Sequence, residues 1–266
     1  MNLKEKIGKY DILFVTFDTL RYDVAYRGWV EHRLPNLAAY LPKTGWECRH
    51  APGNFTFASH AAFFAGFLPT PITPGRHTRL FGLRFDGSET IDENTIVFDA
   101  PNIVVGLSAM NYRTICIGGV GFFNKRNPLG CVFPSMFDES HWSEEFSVIE
   151  RNSTRHQFEL AHQRLQSFPS DERVFLFINL SALHQPNCFY LPDVEDDNCD
   201  SQLAALEYVD SQWPILMESL RMRGSGFGIL CSDHGTAYGE DGYVGHRLAH
   251  PVVWDVPYTE ISWKQA

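Results

Sequence analysis

No stretch of this 266-residue chain stays apolar over the roughly 20 residues that a membrane-spanning helix needs. The opening residues, MNLKEKIGKYD, are polar and lack the apolar core of a secretory leader, so the sequence taken alone points to a cytoplasmic protein without membrane contact. Its six cysteines follow no Cys-x-x-Cys spacing, which argues against a zinc ribbon. Cys116 and Cys231 fall in the apolar runs TICIGG and GFGILCSDHG and read as reduced, buried thiols. Clusters of basic residues interleaved with aromatics are missing, and the net charge is −10, so nucleic acid is not an expected partner. No internal repeat or low-complexity linker divides the chain. A 44% share of hydrophobic residues is enough for a substantial core, and one α/β domain over residues 1–266 is expected.

Three apolar, β-branched runs end in polar residues: YDILFVTFDTLR (10–21), RVFLFINLSALH (173–184) and GFGILCSDHG (226–235). Each reads as a buried parallel strand with function at its carboxyl end. Helical patterns lie between them, in HAAFFAGFL (60–68), which is closed by the proline-rich residues 69–75, in RNSTRHQFELAHQRLQSF (151–168) and in SQLAALEYVDSQWPILMESLRMRG (201–224) with a kink at Pro214. Residues 102–119 read as a helix followed by a strand. Strands that alternate with helices imply a three-layer α/β/α sandwich around a mostly parallel sheet.

The strand ends carry Asp18, His184 and the pair Asp233-His234. A carboxylate beside an imidazole suits zinc, manganese or a similar divalent ion, although Asp-His-Gly by itself equally fits a turn. Thr56 stands just before the helical run 60–68. Ser59 and Asn54 could cap that helix, which leaves the threonine hydroxyl free for chemistry. A hydroxyl next to a bound metal becomes a nucleophile, and a helix N-terminus favours the charge that develops on a transferred phosphoryl or sulfuryl group.

These blocks, DILFVTFDTLRYDVA, NFTFASHAAFFAGFLP, AALEYVDSQWPILMESL and GILCSDHGTAYGE followed by GH, resemble the alkaline phosphatase/sulfatase superfamily in order and rough spacing, from about residue 10 to about residue 250. The resemblance implies an alkaline phosphatase-like catalytic domain that lacks the usual C-terminal subdomain. It implies a divalent cation (Zn, Mn, Ca or Mg) held by Asp18, Asp233 and His234, with Thr56 as metal-bound nucleophile. His246, with His250 as runner-up, and His184 are implied to contact substrate oxygens or to complete a weaker second metal site. His60 takes the place of the sulfatase arginine as a charge partner, or else simply packs. Arg21 and Asp23 read as a structural ion pair.

The departures narrow the activity. Threonine cannot be converted to formylglycine, so phosphate and phosphonate esters are favoured over true sulfatase substrates. Gly119 and Gly121 stand where the family has lysine and histidine, with Lys125 or Arg126 as possible substitutes. Leu180 stands where an Asp-x-x-x-His motif would supply a carboxylate ahead of His184. The leading expectation is a metal-dependent hydrolase of a small phosphate, phosphonate or sulfate ester. The alternatives are a phospho- or sulfo-group transferase or mutase, and a non-catalytic descendant that binds a metal, a metabolite or a partner protein. An oligomer or a pathway partner is compatible with all of these.

Overall fold

The computed structural model describes residues 5–66, 81–82, 96–97 and 102–266. In chain order the elements are β1 (Asp11–Phe17), α1 (Tyr22–Val30), α2 (Pro35–Ala38), β2 (Glu47–His50), α3 (Thr56–Ala65), β3 (Phe81–Gly82), β4 (Ile96–Val97), α4 (Ile103–Ala109) and β5 (Tyr112–Ile117). They continue with α5 (Pro128–Cys131), β6 (Glu139–His141), α6 (Ser153–Gln166), β7 (Arg173–Leu180), α7 (Cys199–Arg223), β8 (Gly226–Ser232), β9 (Ala237–Tyr238), β10 (Val244–Gly245), α8 (Pro251–Trp254) and β11 (Asp255–Trp263).

Seven strands form one mixed sheet in the order β2-β11-β8-β1-β7-β5-β6. β1 lies at its centre, parallel to both β7 and β8, and β11 runs antiparallel to β8 and β2. The alternation of strand side chains explains the layers. Leu13, Val15 and Phe17 join one core with Val24 of α1, Leu37 of α2, Phe158 of α6 and Leu206 and Trp213 of α7. Ile12, Phe175, Phe177 and Phe227 join the opposite core with Phe64 of α3 and Val104 and Leu107 of α4. The sheet is therefore covered on both faces, and the polar ends of β1, β7 and β8 meet at one edge, where open α/β sheets place their ligands.

Two helices differ from their sequence outlines. α3 begins at Thr56 rather than His60 and ends on Gly66, whose φ of 74° is left-handed. The proline-rich residues 69–75 lie outside the described residues. α7 begins at Cys199 because Asn198 and Ser201 form a reciprocal capping box, and Pro214 sits inside it without ending it.

One buried ion pair ties the layers together at the far end of the sheet. Arg223, at the end of α7, meets Asp11 at the start of β1 at 3.1 Å, with side chains 3% and 1% exposed. The same guanidinium donates to the carbonyls of Leu165, Phe168, Pro169 and Glu172. Arg223→Met leaves the Asp11 carboxylate buried, with Arg173 still 3.7 Å away. The expected loss is about 3 kcal/mol of stability in urea unfolding, with a smaller loss when Asp11→Asn is added, because the cost lies in the stranded charge.

Candidate active site

Asp18 follows β1, Asp233 and His234 follow β8, and Thr56 is the first residue of α3. All four are at most 2% exposed. The Thr56 hydroxyl lies 3.4 Å from Asp18 Oδ2 and 3.3 Å from His234 Nε2. Asp18, Asp233 and His234 each present one ligand atom, and these atoms lie within 4.8 Å of one another. No side chain caps α3, since its N-cap position is Phe55. Ser59, expected as a possible cap, instead donates to the Asp233 carbonyl at 2.6 Å. The uncapped end of the ten-residue helix is thus turned toward the site by its own first residue.

The polar bookkeeping at this point is incomplete without a cation. Among the described residues, buried Asp18 Oδ1 and Asp233 Oδ2 have no hydrogen-bond partner. Burial, and then the charge of Asp233, push Asp18 up to about 6, and burial pushes Asp233 up to about 7. His234 Nδ1 lies 2.8 Å from the Gly235 carbonyl. A carbonyl only accepts, so Nδ1 carries the proton and the Nε2 lone pair faces Thr56. Two orphaned carboxylate oxygens and an oriented imidazole lone pair fit a divalent ion, with the histidine fixed by its other nitrogen as metal-binding histidines usually are.

Of the two roles expected of His60, charge partner or packing, its surroundings match packing. It is fully buried, and Phe63, Phe64, Phe123, Phe133 and Phe177 surround it with ring centroids 5.3–6.1 Å away. That desolvation lowers it to about 3, so it stays neutral. Its Nδ1–H donates to the Thr56 carbonyl at 2.8 Å. Its Nε2 therefore accepts from the Thr16 hydroxyl at 3.0 Å. Asn179 donates to Thr16 Oγ1 at 3.2 Å and to Asp18 Oδ2 at 3.1 Å. An unbroken chain of neutral groups thus joins the backbone of Thr56 to the carboxylate of Asp18.

From the sequence Thr16 carries no role and Asn179 is only a poor replacement for the missing carboxylate, although a polar residue inside VFLFINL or DILFVTFD is the signal that could have found them. Asn179 also accepts from the Gly119 and Val120 amides at 3.3 and 3.1 Å. A Cβ on Gly119 would lie 2.5 Å from the Asn179 carbonyl, which leaves no room for a lysine at that position. Lys125 is bound to the Ser140 carbonyl at 2.6 Å, and Arg126 pairs with Glu144, so both are engaged on β6 and the segment after it rather than at Thr56. Leu180 is buried in the core and supplies no carboxylate. Arg21 pairs with Asp23 at 2.6 Å and also with Glu240.

The histidines cluster. The His246 ring is 4.5 Å from His234 and 5.9 Å from His184 between centroids. Burial, then His234, His184 and Arg247, lower His246 to about 3, and its Nδ1 is buried without a partner among the described residues. His184 Nδ1 donates to the Gln185 carbonyl at 2.6 Å, which leaves Nε2 as the ring nitrogen with the lone pair in the neutral form. His250 lies apart, bonded to Asp241 at 3.1 Å and accepting from Val252 at the start of α8.

No protein-family model matches the sequence, and no curated protein matches it. Solved structures do. The C-terminal periplasmic domain of phosphoethanolamine transferase EptC from Campylobacter jejuni is 13% identical, with a TM-score of 0.60 over 96% of this chain and 79% of that one. The C-terminal periplasmic domain of EptC from Escherichia coli, in complex with zinc, is 12% identical, with a TM-score of 0.61 over 96% of this chain and 73% of that one. A protein in the alkaline phosphatase superfamily from Vibrio parahaemolyticus is 16% identical, with a TM-score of 0.56 over 96% of this chain and 60% of that one. The chain has the alkaline phosphatase superfamily fold.

The expectation of a cytoplasmic location is corrected by these likenesses. Both EptC structures with the alkaline phosphatase fold are periplasmic domains. Among the described residues no helix is long and apolar enough to cross a membrane, and a polar stretch of this kind does not report its compartment.

Two outcomes are expected. Zinc titrated into the metal-free protein raises its unfolding free energy by about 2.7 kcal/mol at one hundred times the dissociation constant, and Asp233→Ala abolishes the gain in the same thermal melts. His60→Ala leaves the Thr56 carbonyl and the Thr16 hydroxyl without their partner, which costs roughly 1–3 kcal/mol for each group, and calorimetry is expected to show weaker zinc binding because Asp18 loses its fixed orientation.

Proposed function

We propose that this chain is a metal-dependent phospho-group transferase, which takes a phosphoryl or substituted phosphoryl group from an ester donor onto Thr56 and passes it to an acceptor alcohol. The observation that carries this reading is the buried Thr56 hydroxyl, within 3.4 Å of a carboxylate and an imidazole that lack a counter-charge, at the uncapped start of a helix. Asp18, Asp233 and His234 are the residues that would hold the ion. Zinc or manganese suits two carboxylates and one imidazole, and such an ion supplies positive charge that favours the deprotonated threonine and stabilises a phosphoryl oxygen.

In the first step the Thr56 Oγ1–phosphorus bond forms while the donor's ester bond breaks, and the donor alcohol leaves with a proton. In the second step the acceptor oxygen attacks phosphorus, loses its proton, and Thr56 regains its hydroxyl. The α3 N-terminus favours the negative oxygens throughout. His184, with its Nε2 lone pair available, is suited to move a proton at the leaving or attacking hydroxyl. His246 stands between it and the metal-binding residues.

Ester hydrolysis is the same sequence with water as acceptor. Transfer is preferred because a phosphoethanolamine transferase domain shares this fold over 96% of the chain. A non-catalytic descendant that binds a metal would use the orphaned Asp18 and Asp233 oxygens but would have no need of the Thr56 hydroxyl held beside them. Incubation of the zinc-loaded protein with an aryl phosphodiester and a short alcohol is expected to yield the alcohol's phosphodiester in excess of the monoester released to water. Mass spectrometry of a quenched reaction is expected to find the phosphorus substituent on Thr56. Thr56→Ala should lose at least about 1000-fold in turnover, the scale seen when a nucleophile is removed, while still binding zinc. Turnover retained in that variant would exclude the threonine route.

A further inference from the structure

We propose that Arg247 is the anion-binding residue of this site, its guanidinium meeting the non-transferred oxygens of the phosphoryl group at Thr56. The inference rests on the phospho-group reading and adds to it the cation that the motifs leave out. The family's lysine position is closed by the approach of Gly119 to Asn179, and Lys125 and Arg126 are engaged elsewhere. A phosphoester carries negative charge into a protein of net charge −10, toward two buried carboxylates. A local positive charge is needed to draw it in.

Arg247 is where that charge would have to be. Its backbone amide donates to the Asn54 carbonyl at 2.9 Å, two residues before Thr56. Its guanidinium lies 5.6 Å from the ring of Phe55, the residue next to Thr56. On its other side it follows His246, whose ring is 4.5 Å from that of His234. Among the described residues the Arg247 side chain has no carboxylate partner, whereas Arg21, Arg27, Arg33, Arg126 and Arg164 each have one. Its backbone is held at φ 68°, a left-handed conformation that a residue with a Cβ rarely adopts. An arginine kept there, exposed and unpaired at the lip of a buried anionic site, is placed to bind an incoming anion.

The test is calorimetric titration of inorganic phosphate into the zinc-loaded protein. Arg247→Ala is expected to weaken phosphate binding at least tenfold, and Arg247→Lys to recover part of the loss. Arg247→Gly, which suits the left-handed backbone, should match the alanine variant, and zinc affinity should be unchanged in all three. Arg221→Ala, which removes the same charge from the end of α7, should leave phosphate binding unchanged. If Arg247→Ala binds phosphate like the wild type while Asp233→Ala does not, Arg247 is not the anion-binding residue and the phospho-group site stands. Equal losses in Arg247→Ala and Arg221→Ala would reduce the effect to net charge and overturn the proposal. A wild type that does not bind phosphate at all would overturn the site reading and the Arg247 assignment together.

Discussion

Two carboxylates buried side by side, Asp18 and Asp233, are the constraint around which this molecule is arranged. Desolvation disfavours both charged forms, and each charge disfavours the other. Asp233 is held in place by the Thr19 and His234 amides at 3.1 and 3.0 Å, and Asp18 by Asn179. These bonds orient one oxygen of each group and leave the other, Asp18 Oδ1 and Asp233 Oδ2, unsatisfied among the described residues. A fold does not keep two such oxygens dry and adjacent for stability, because protonation or an apolar replacement would be less costly. They make sense as half of a coordination shell.

The sheet order explains how the two carboxylates come to be neighbours. Asp18 and Asp233 are 215 positions apart in the chain, yet β1 and β8 pair in parallel along Asp11–Phe17, so their carboxyl ends finish side by side. β7 pairs with the other edge of β1 and brings Asn179 beside Thr16. The apolar bodies of these strands are packed into the two cores, and side chains presented by such packed elements are held more precisely than side chains on loops. α3 is then attached by the chain from Thr56 through His60 and Thr16 to Asn179, with no charged member. Neutrality matters here. An imidazolium at position 60, with its Nδ1 3.7 Å from Asp233 Oδ2, would compete with a metal for the same carboxylate; five phenylalanine rings hold His60 neutral and remove that competitor.

Much of this was legible in the residues because strand ends write their function locally. An apolar run that stops at Asp18 or at Asp233-His234 signals both the strand and the polar edge, and Thr56 reads as helix-proximal from the small and aromatic residues that follow it. Which of its two expected roles His60 takes was not legible. From sequence it is a polar residue beside a nucleophile, and only the packing of Phe123, Phe133 and Phe177, brought in from other parts of the chain, makes it neutral. Asn179 escaped for a similar reason: its partners Thr16 and Asp18 lie on another strand, and register is not encoded within either segment. The start of α3 was placed late because the sequence suggested a side-chain cap, whereas the helix begins without one and offers that end to the site.

The same geometry explains why the positive charge at this site has to come from an unfamiliar place. Gly119 packs so closely on β7 that its amide reaches the Asn179 side chain and any side chain at that position would meet the Asn179 carbonyl. The bond that orients Asn179, and through it Asp18, therefore excludes a lysine from the position where related motifs have one. The segment after β10 reaches the residues just before α3 through the contact of Arg247 with Asn54 and Phe55. Arg247 itself is exposed there, so its guanidinium stands outside the buried chain of hydrogen bonds. Neutral groups orient the Asp18 carboxylate, and in the proposed reading the exposed Arg247 is left to meet the anionic substrate.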